Sequence, residues 1–231
     1  MKGLKIKLLI LSIIAYVNCS AQVSTIWQIG KSDNSGAEFA LSNGEYNKFL
    51  EKDFGWEDRF YVVNYSNEKE DFPFVLPGAI DYWGGTSGLA GIRPHEINIL
   101  FGIKEKPKKG NYELIIDVLD CNPETPPYFK ITVNGKSWKI RLDKGRNAAA
   151  LKGEITNTKE QKLVIPIDAN LIKSGGNHVQ FTTLEGSWMV FDQVRLEGPT
   201  SVMLLTPEKA FVRSVNVANY ELNEKGEVIQ P

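Results

Sequence analysis

The chain has 231 residues, with 27 Lys+Arg against 28 Asp+Glu, 42% hydrophobic residues and two cysteines. This composition is globular rather than disordered or fibrous, and the length suffices for one well-packed domain plus a fragment. No basic surplus marks a nucleic-acid or anionic-membrane partner.

Residues 1–21 read as an export signal. Lys2, Lys5 and Lys7 form a positive start, Leu8 to Val17 is an apolar run broken only by Ser12, and Cys19-Ser20-Ala21 end the segment with small residues. About ten apolar residues are too few for a membrane-spanning helix. Lipid anchoring at Cys19 would ask for small residues where Tyr16-Val17-Asn18 stand. The expectation is a cleaved signal and a secreted or periplasmic product. Without the signal's three lysines, 24 basic residues face 28 acidic ones, and Cys121 is left without a disulfide partner. It reads as a small buried or turn residue.

The remaining pattern has period two, with turn signals at short intervals, which predicts an all-β sandwich or barrel. Strands are expected at Thr25–Ile29, Phe60–Val63, Glu96–Ile103, Tyr112–Leu119, Tyr128–Val133, Ser137–Leu142, Lys162–Ile167, His178–Thr183 and Trp188–Leu196. Asn134-Gly135 suits the two positive-φ positions of a type I′ hairpin turn. Asn47–Asp53 reads as a short helix, and 168–176 as one helical turn with a glycine stop. The long aromatic stretch from Asn64 to Pro94 reads as an ordered loop packed on the sandwich. After Gly198-Pro199, Val202–Leu205 and Ser214–Tyr220 look like strands opening a second, incomplete β module. The expected division is 1–21 signal, 22–198 sandwich, and 199–231 linker and opening strands.

No catalytic set is expected. His95 and His178 lie in no metal-ligand spacing, and no nucleophile elbow, phosphate loop or dinucleotide glycine pattern occurs. The glycines at 84, 85, 88 and 91 precede no helix signal that would receive a phosphate, so conformational need explains them. The acid pairs Glu57-Asp58, Glu70-Asp71 and Asp117 with Asp120 read as solvated loop and strand charges. Asp192 interrupts an apolar strand, where an unpartnered carboxylate is costly. A structural Ca²⁺, an outward-facing position, or pairing with an arginine or turn amides would each resolve it. No DxDxDG-like cluster supports the ion.

Aromatic residues in loops carry the binding expectation, because sugar rings stack their C–H faces on Trp and Tyr while flanking polar groups take the hydroxyls. Trp56, Tyr82 and Trp83, with Arg93, form the candidate carbohydrate-binding set. The alternative is that these aromatics plug one end of the sandwich. Trp27, Trp138 and Trp188 fall in strand patterns and read as core.

Several segments, in order, carry a family resemblance. They are Ile26-Trp27-Gln28-Ile29-Gly30 with Asp33 and Ala37-Glu38-Phe39; Phe60-Tyr61-Val62-Val63 with Asp71-Phe72-Pro73; Phe129 to Gly135; Ile165-Pro166-Ile167; Gly175 to Val179; and Met189 to Glu197. Across residues 25–198 the chain resembles the galactose-binding-like third domain of family-4 polysaccharide lyases, the rhamnogalacturonan lyases. The resemblance implies a jelly-roll β-sandwich, a carbohydrate-binding-like role without catalysis, and an oligo- or polysaccharide partner. It also implies a catalytic domain elsewhere in the parent enzyme. The lyase catalytic domain has no counterpart ahead of residue 25, which fits a polysaccharide-degrading hydrolase bearing the module at its front. A structural scaffold packing against that catalytic domain is the alternative.

Overall fold

Alternating apolar residues must bury one face of each strand, and here two sheets do this against each other. A computed structural model describes residues 23–42, 44–54, 59–86, 94–105 and 110–205, plus the backbone of 221–222 and 228–229. In chain order the strands are β1 (Val23–Gly30), β2 (Phe60–Val62), β3 (Val75–Leu76), β4 (Glu96–Ile103), β5 (Tyr112–Cys121) and β6 (Tyr128–Val133). They continue as β7 (Lys136–Arg141), β8 (Gln161–Ile167), β9 (Gly175–Glu185), β10 (Met189–Pro199), β11 (Glu221–Leu222) and β12 (Val228–Ile229). One sheet runs β1-β10-β5-β8, with β3 pairing β10 beyond the end of β1. The other runs β2-β4-β9-β6-β7, and β11 pairs with β12 alone. Among the described strand ladders only β2–β4 is parallel. The architecture is the expected all-β jelly-roll sandwich.

Aromatic side chains join the sheets. Phe191 of β10 stacks on Phe181 of β9 with centroids 6.1 Å apart, and Phe181 meets Phe129 of β6 at 5.3 Å. Phe72 touches Phe191 at 5.6 Å and Phe39 at 5.3 Å. All five rings are fully buried. Each such ring contributes roughly 1.5–3 kcal/mol of transfer free energy.

Strand β10 does not simply alternate, because Met189 through Val194 are all buried. Its register against β5 slips between Val190 and Phe191 and again between Phe191 and Gln193. A bulge of this kind turns Asp192 inward without exposing Phe191. Gly30 closes the same corner. Its φ is +78°, and a Cβ there would lie 2.6 Å from the Asp192 carbonyl oxygen.

Four expectations need correction. Residues 168–176 form a turn, closed by Leu171 N–H to Asp168 O at 2.9 Å, and β9 already begins at Gly175. The Asn177 side chain takes that segment's backbone instead: it accepts from Lys173 N–H (2.8 Å) and donates to Lys173 O and Gly175 O. The second short helix is a 3-10 turn at Tyr46–Lys48 followed by further turns. Trp138 is half-buried, not core, because β7 is an edge strand, whereas Trp27 and Trp188 are buried as expected. The stretch after Asn64 contains a helical turn, α1 (Glu68–Asp71), and β3, so part of it is sheet. Its residues 87–93 lie outside the described residues.

Past β10, Lys104 N–H donates to Met203 O and Leu205 N–H to Gly102 O, so residues 203–205 line the end of β4. Residues 206–220 and the signal segment 1–21 lie outside the described residues.

Candidate functional site

The turn at 78–86 carries Tyr82 and Trp83, and a buried carboxylate builds it. Asp81 is 7% exposed. Its Oδ2 accepts Gly78 N–H at 2.6 Å, and its Oδ1 accepts the Ser187 hydroxyl from the β9–β10 connection at 2.5 Å. Thr86 closes the turn by donating to Gly78 O and Asp81 O. Burial pushes the Asp81 carboxyl up to about 6 against the opposing pull of those two donors. Gly85 ends the short 3-10 helix Tyr82–Gly84 at φ +73°, a left-handed position that favours glycine.

The turn leaves its two aromatic residues in different settings. Tyr82 is 65% exposed. Trp83 is half-buried and meets Tyr46 edge-on at 5.0 Å and Phe49 at 6.0 Å. Phe49 in turn packs against His95 (5.4 Å), whose Nε2 bonds Gly84 O. Trp83 therefore sits partly in the plugging role, while the Tyr82 ring faces solvent. Trp56 and Arg93 lie outside the described residues, as do Glu57 and Asp58.

The segment 45–54 that supports Trp83 forms one wall of a cleft of about 490 Å³. The wall is tied down at Ala40, which accepts Phe74 N–H and donates to Phe72 O. Glu45, Glu51, Lys52 and Asp53 line this side, and Lys69 and Glu70 of α1 line the other. Arg59 staples the walls: it donates to Lys52 O and, at 2.8 Å, to Glu70 O, with its guanidinium 4.1 Å from the Phe54 ring centre. Lys69 Nζ donates to Ala37 O (2.8 Å) and Ser42 Oγ (2.7 Å). Sequence reasoning missed this cleft. Its signal was partly present in Asn67, which caps α1 by accepting Lys69 N–H at 2.9 Å, with Asp71 accepting Asn67 N–H in return.

Of the acids expected to be solvated, Asp71 and Asp120 are buried instead, because neighbouring donors hold them inside the fold. Asp71 lies 3.6 Å from Arg59, and Asp117 pairs with Arg195 at 2.7 Å. Asp120 is fully buried and accepts Cys121 N–H and Arg146 N–H, both at 2.9 Å. His178 Nε2 bonds Asn98 Oδ1 at 2.8 Å, and burial lowers its imidazole pKa. The Cys121 thiol is buried and pushed up to about 11, which leaves it protonated and unreactive. Asp192 Oδ1 accepts Ser35 N–H at 3.0 Å, the turn-amide solution, and burial pushes its carboxyl up to about 6. Among the described residues no group of three or more His, Cys, Asp or Glu is placed to hold a metal ion. Among the same residues no helix is long and apolar enough to cross a membrane.

No curated protein matches the chain. Among solved structures it is similar to a family 35 carbohydrate binding module from an environmental isolate (12% identity, TM-score 0.34), over 49% of this chain and 72% of that one. It is also similar to a CBM35 from Cellvibrio japonicus Abf62 (16%, TM-score 0.31), over 48% and 70%. A third is Xyl-CBM35 in complex with a glucuronic acid containing disaccharide (16%, TM-score 0.31), over 49% and 73%. The family model "CBM-like: Polysaccharide lyase family 4, domain III" matches residues 25–196, which is most of the chain and nearly all of the sandwich. The chain belongs to this CBM-like family of polysaccharide lyase family 4 third domains.

Proposed function

We propose that the chain is the non-catalytic, glycan-binding part of a secreted polysaccharide-degrading enzyme, and that Tyr82 is its stacking platform. The exposure of that single ring carries the reading. Tyr82 stands 65% open on a turn whose other groups are fixed by Asp81, Thr86 and Ser187. A preorganised aromatic face loses little entropy when a sugar ring stacks on it. Trp83, locked edge-on against Tyr46, positions the platform, and the cleft beside segment 45–54 offers polar groups for hydroxyls. Membership of the CBM-like family supports a role without catalysis, as do the structural contacts of Asp71 and Asp117. Trp56 and Arg93 belong to the same proposal on sequence grounds, and residues 1–21 to it as the export signal.

Titration calorimetry against pectic, galactan and mannan oligosaccharides tests this reading. Saturable heat is expected, weakened roughly tenfold in Tyr82→Ala with the melting temperature unchanged, the scale of one lost aromatic contact. Reducing-end release by the purified chain would overturn the non-catalytic part.

A second reading has its own observation. Ile80, Tyr82 and Leu50 are all exposed, with Leu50 2.9 Å from the position a Cβ on Gly85 would take, so the surface is also apolar. Packing against a catalytic domain would use such a patch. Silence across the glycan panel, together with binding of the catalytic domain added in trans, is the outcome that favours it.

A further inference from the structure

We propose that this surface selects neutral, hydroxyl-rich glycan segments over uronate-bearing ones, an inference that rests on the carbohydrate-binding reading above. A sugar carboxylate is best held by a cation whose N–H donors are unspent, most effectively a guanidinium fork. The cations of the cleft are largely committed to the protein itself. Arg59 donates to Lys52 O and Glu70 O while lying over the Phe54 ring. Lys69 donates to Ala37 O and Ser42 Oγ. These contacts hold the two walls together, so turning either cation toward a ligand would loosen the cleft that the ligand occupies.

The acids are in the opposite state. Glu51 from one wall and Glu70 from the other are exposed, and their carboxylates receive no hydrogen bond from the described protein. Glu45 is engaged by Lys48 at 2.6 Å. The lining side chains with no hydrogen bond to the described protein thus include two carboxylates and one exposed ammonium, that of Lys52, with Glu51 in the field of Lys48 and Lys52 in that of Glu45. Carboxylates accept from sugar hydroxyls in short, charge-assisted hydrogen bonds. A uronate brought between the same two groups meets like charge, which penalises the wrong partner more than it changes the right one.

The test uses the full chain and paired probes: galactan, mannan and xylan oligosaccharides against oligogalacturonate and glucuronoxylan oligosaccharides of matched length, at low and at moderate salt. The expected result is that at least one neutral probe binds about tenfold or more tightly than every uronate probe, the gap narrowing as salt screens the repulsion. Glu51→Gln with Glu70→Gln is expected to weaken the neutral probe several-fold without shifting the melting temperature, because neither carboxylate bonds the fold. Glu51→Lys with Glu70→Lys is expected to raise uronate affinity. Equal or tighter uronate binding by the unaltered chain would overturn the selectivity and leave the binding role intact. Silence with every probe would overturn both.

Discussion

Two buried carboxylates make this domain pH-sensitive in a stated direction. Unfolded, Asp81 titrates at its ordinary 3.8, and folded at about 6. Between those values the folded chain binds the proton more tightly, so the stabilising contribution is complete below pH 4 and is lost as pH rises through 6. Asp192 acts the same way. The contribution of Asp81 is roughly 2–3 kcal/mol, and that of the less enclosed Asp192 is smaller because solvent screens it. Subtracting the stability of Asp81→Asn from that of the wild type, by denaturant titration between pH 4 and 7, should give a difference that moves against the wild type as pH rises. A difference independent of pH would show that the carboxyl is not strained by burial. At this scale the sequence was partly legible. Asp192 stood out as a charge in an apolar run, but which of three environments it took depended on a bulge in β10 set by β5, a partner about 75 residues away in the chain.

At the scale of elements, hairpin β6–β7 depends on Asn134 twice over. Its φ of +47° is one that few side chains tolerate, and Gly135 follows at +92°. The Asn134 side chain also donates to Leu171 O and Asn177 Oδ1 and accepts His178 N–H, all within 2.9 Å. Asn134→Ala is therefore expected to cost about 2–3 kcal/mol, more than the backbone effect alone. Asn134→Gly should restore the turn geometry but not the hydrogen bonds, and so recover only part of the loss in urea midpoint. Equal midpoints for Asn134→Gly and wild type would remove the side chain from the account. The hairpin was legible from two residues because its turn chemistry is local. The segment 168–176 was misread because its apparent helix signals were outweighed by Asn177, which binds its backbone locally, and by Asn134, which binds it from a distance. Two-residue β3 offered no periodicity to read.

For the whole molecule, the ring series Phe39, Phe72, Phe191, Phe181 and Phe129 is the bridge between sheets. Phe191→Ala should cost about 3–5 kcal/mol and lower the melting temperature while the transition stays single, since both sheets share the cavity. Two separated transitions would mean that the sheets are stabilised independently. Fold class was readable because nine strands each alternate over five or more residues or sit beside clear turns. The cleft was not, because its walls at 40–54 and 59–70 acquire their spacing from Arg59 and from Ala40 on Phe74.

Strand β10 pairs with β1, β3 and β5, so it is the hub of its sheet and the last strand of the sandwich to leave the ribosome. Until it emerges, β1 waits with an open edge for a partner about 165 residues behind it, the kind of long closure that slows folding and exposes nascent chains to aggregation. If residues 1–21 act as the proposed export signal, that delay keeps the chain threadable for most of its synthesis.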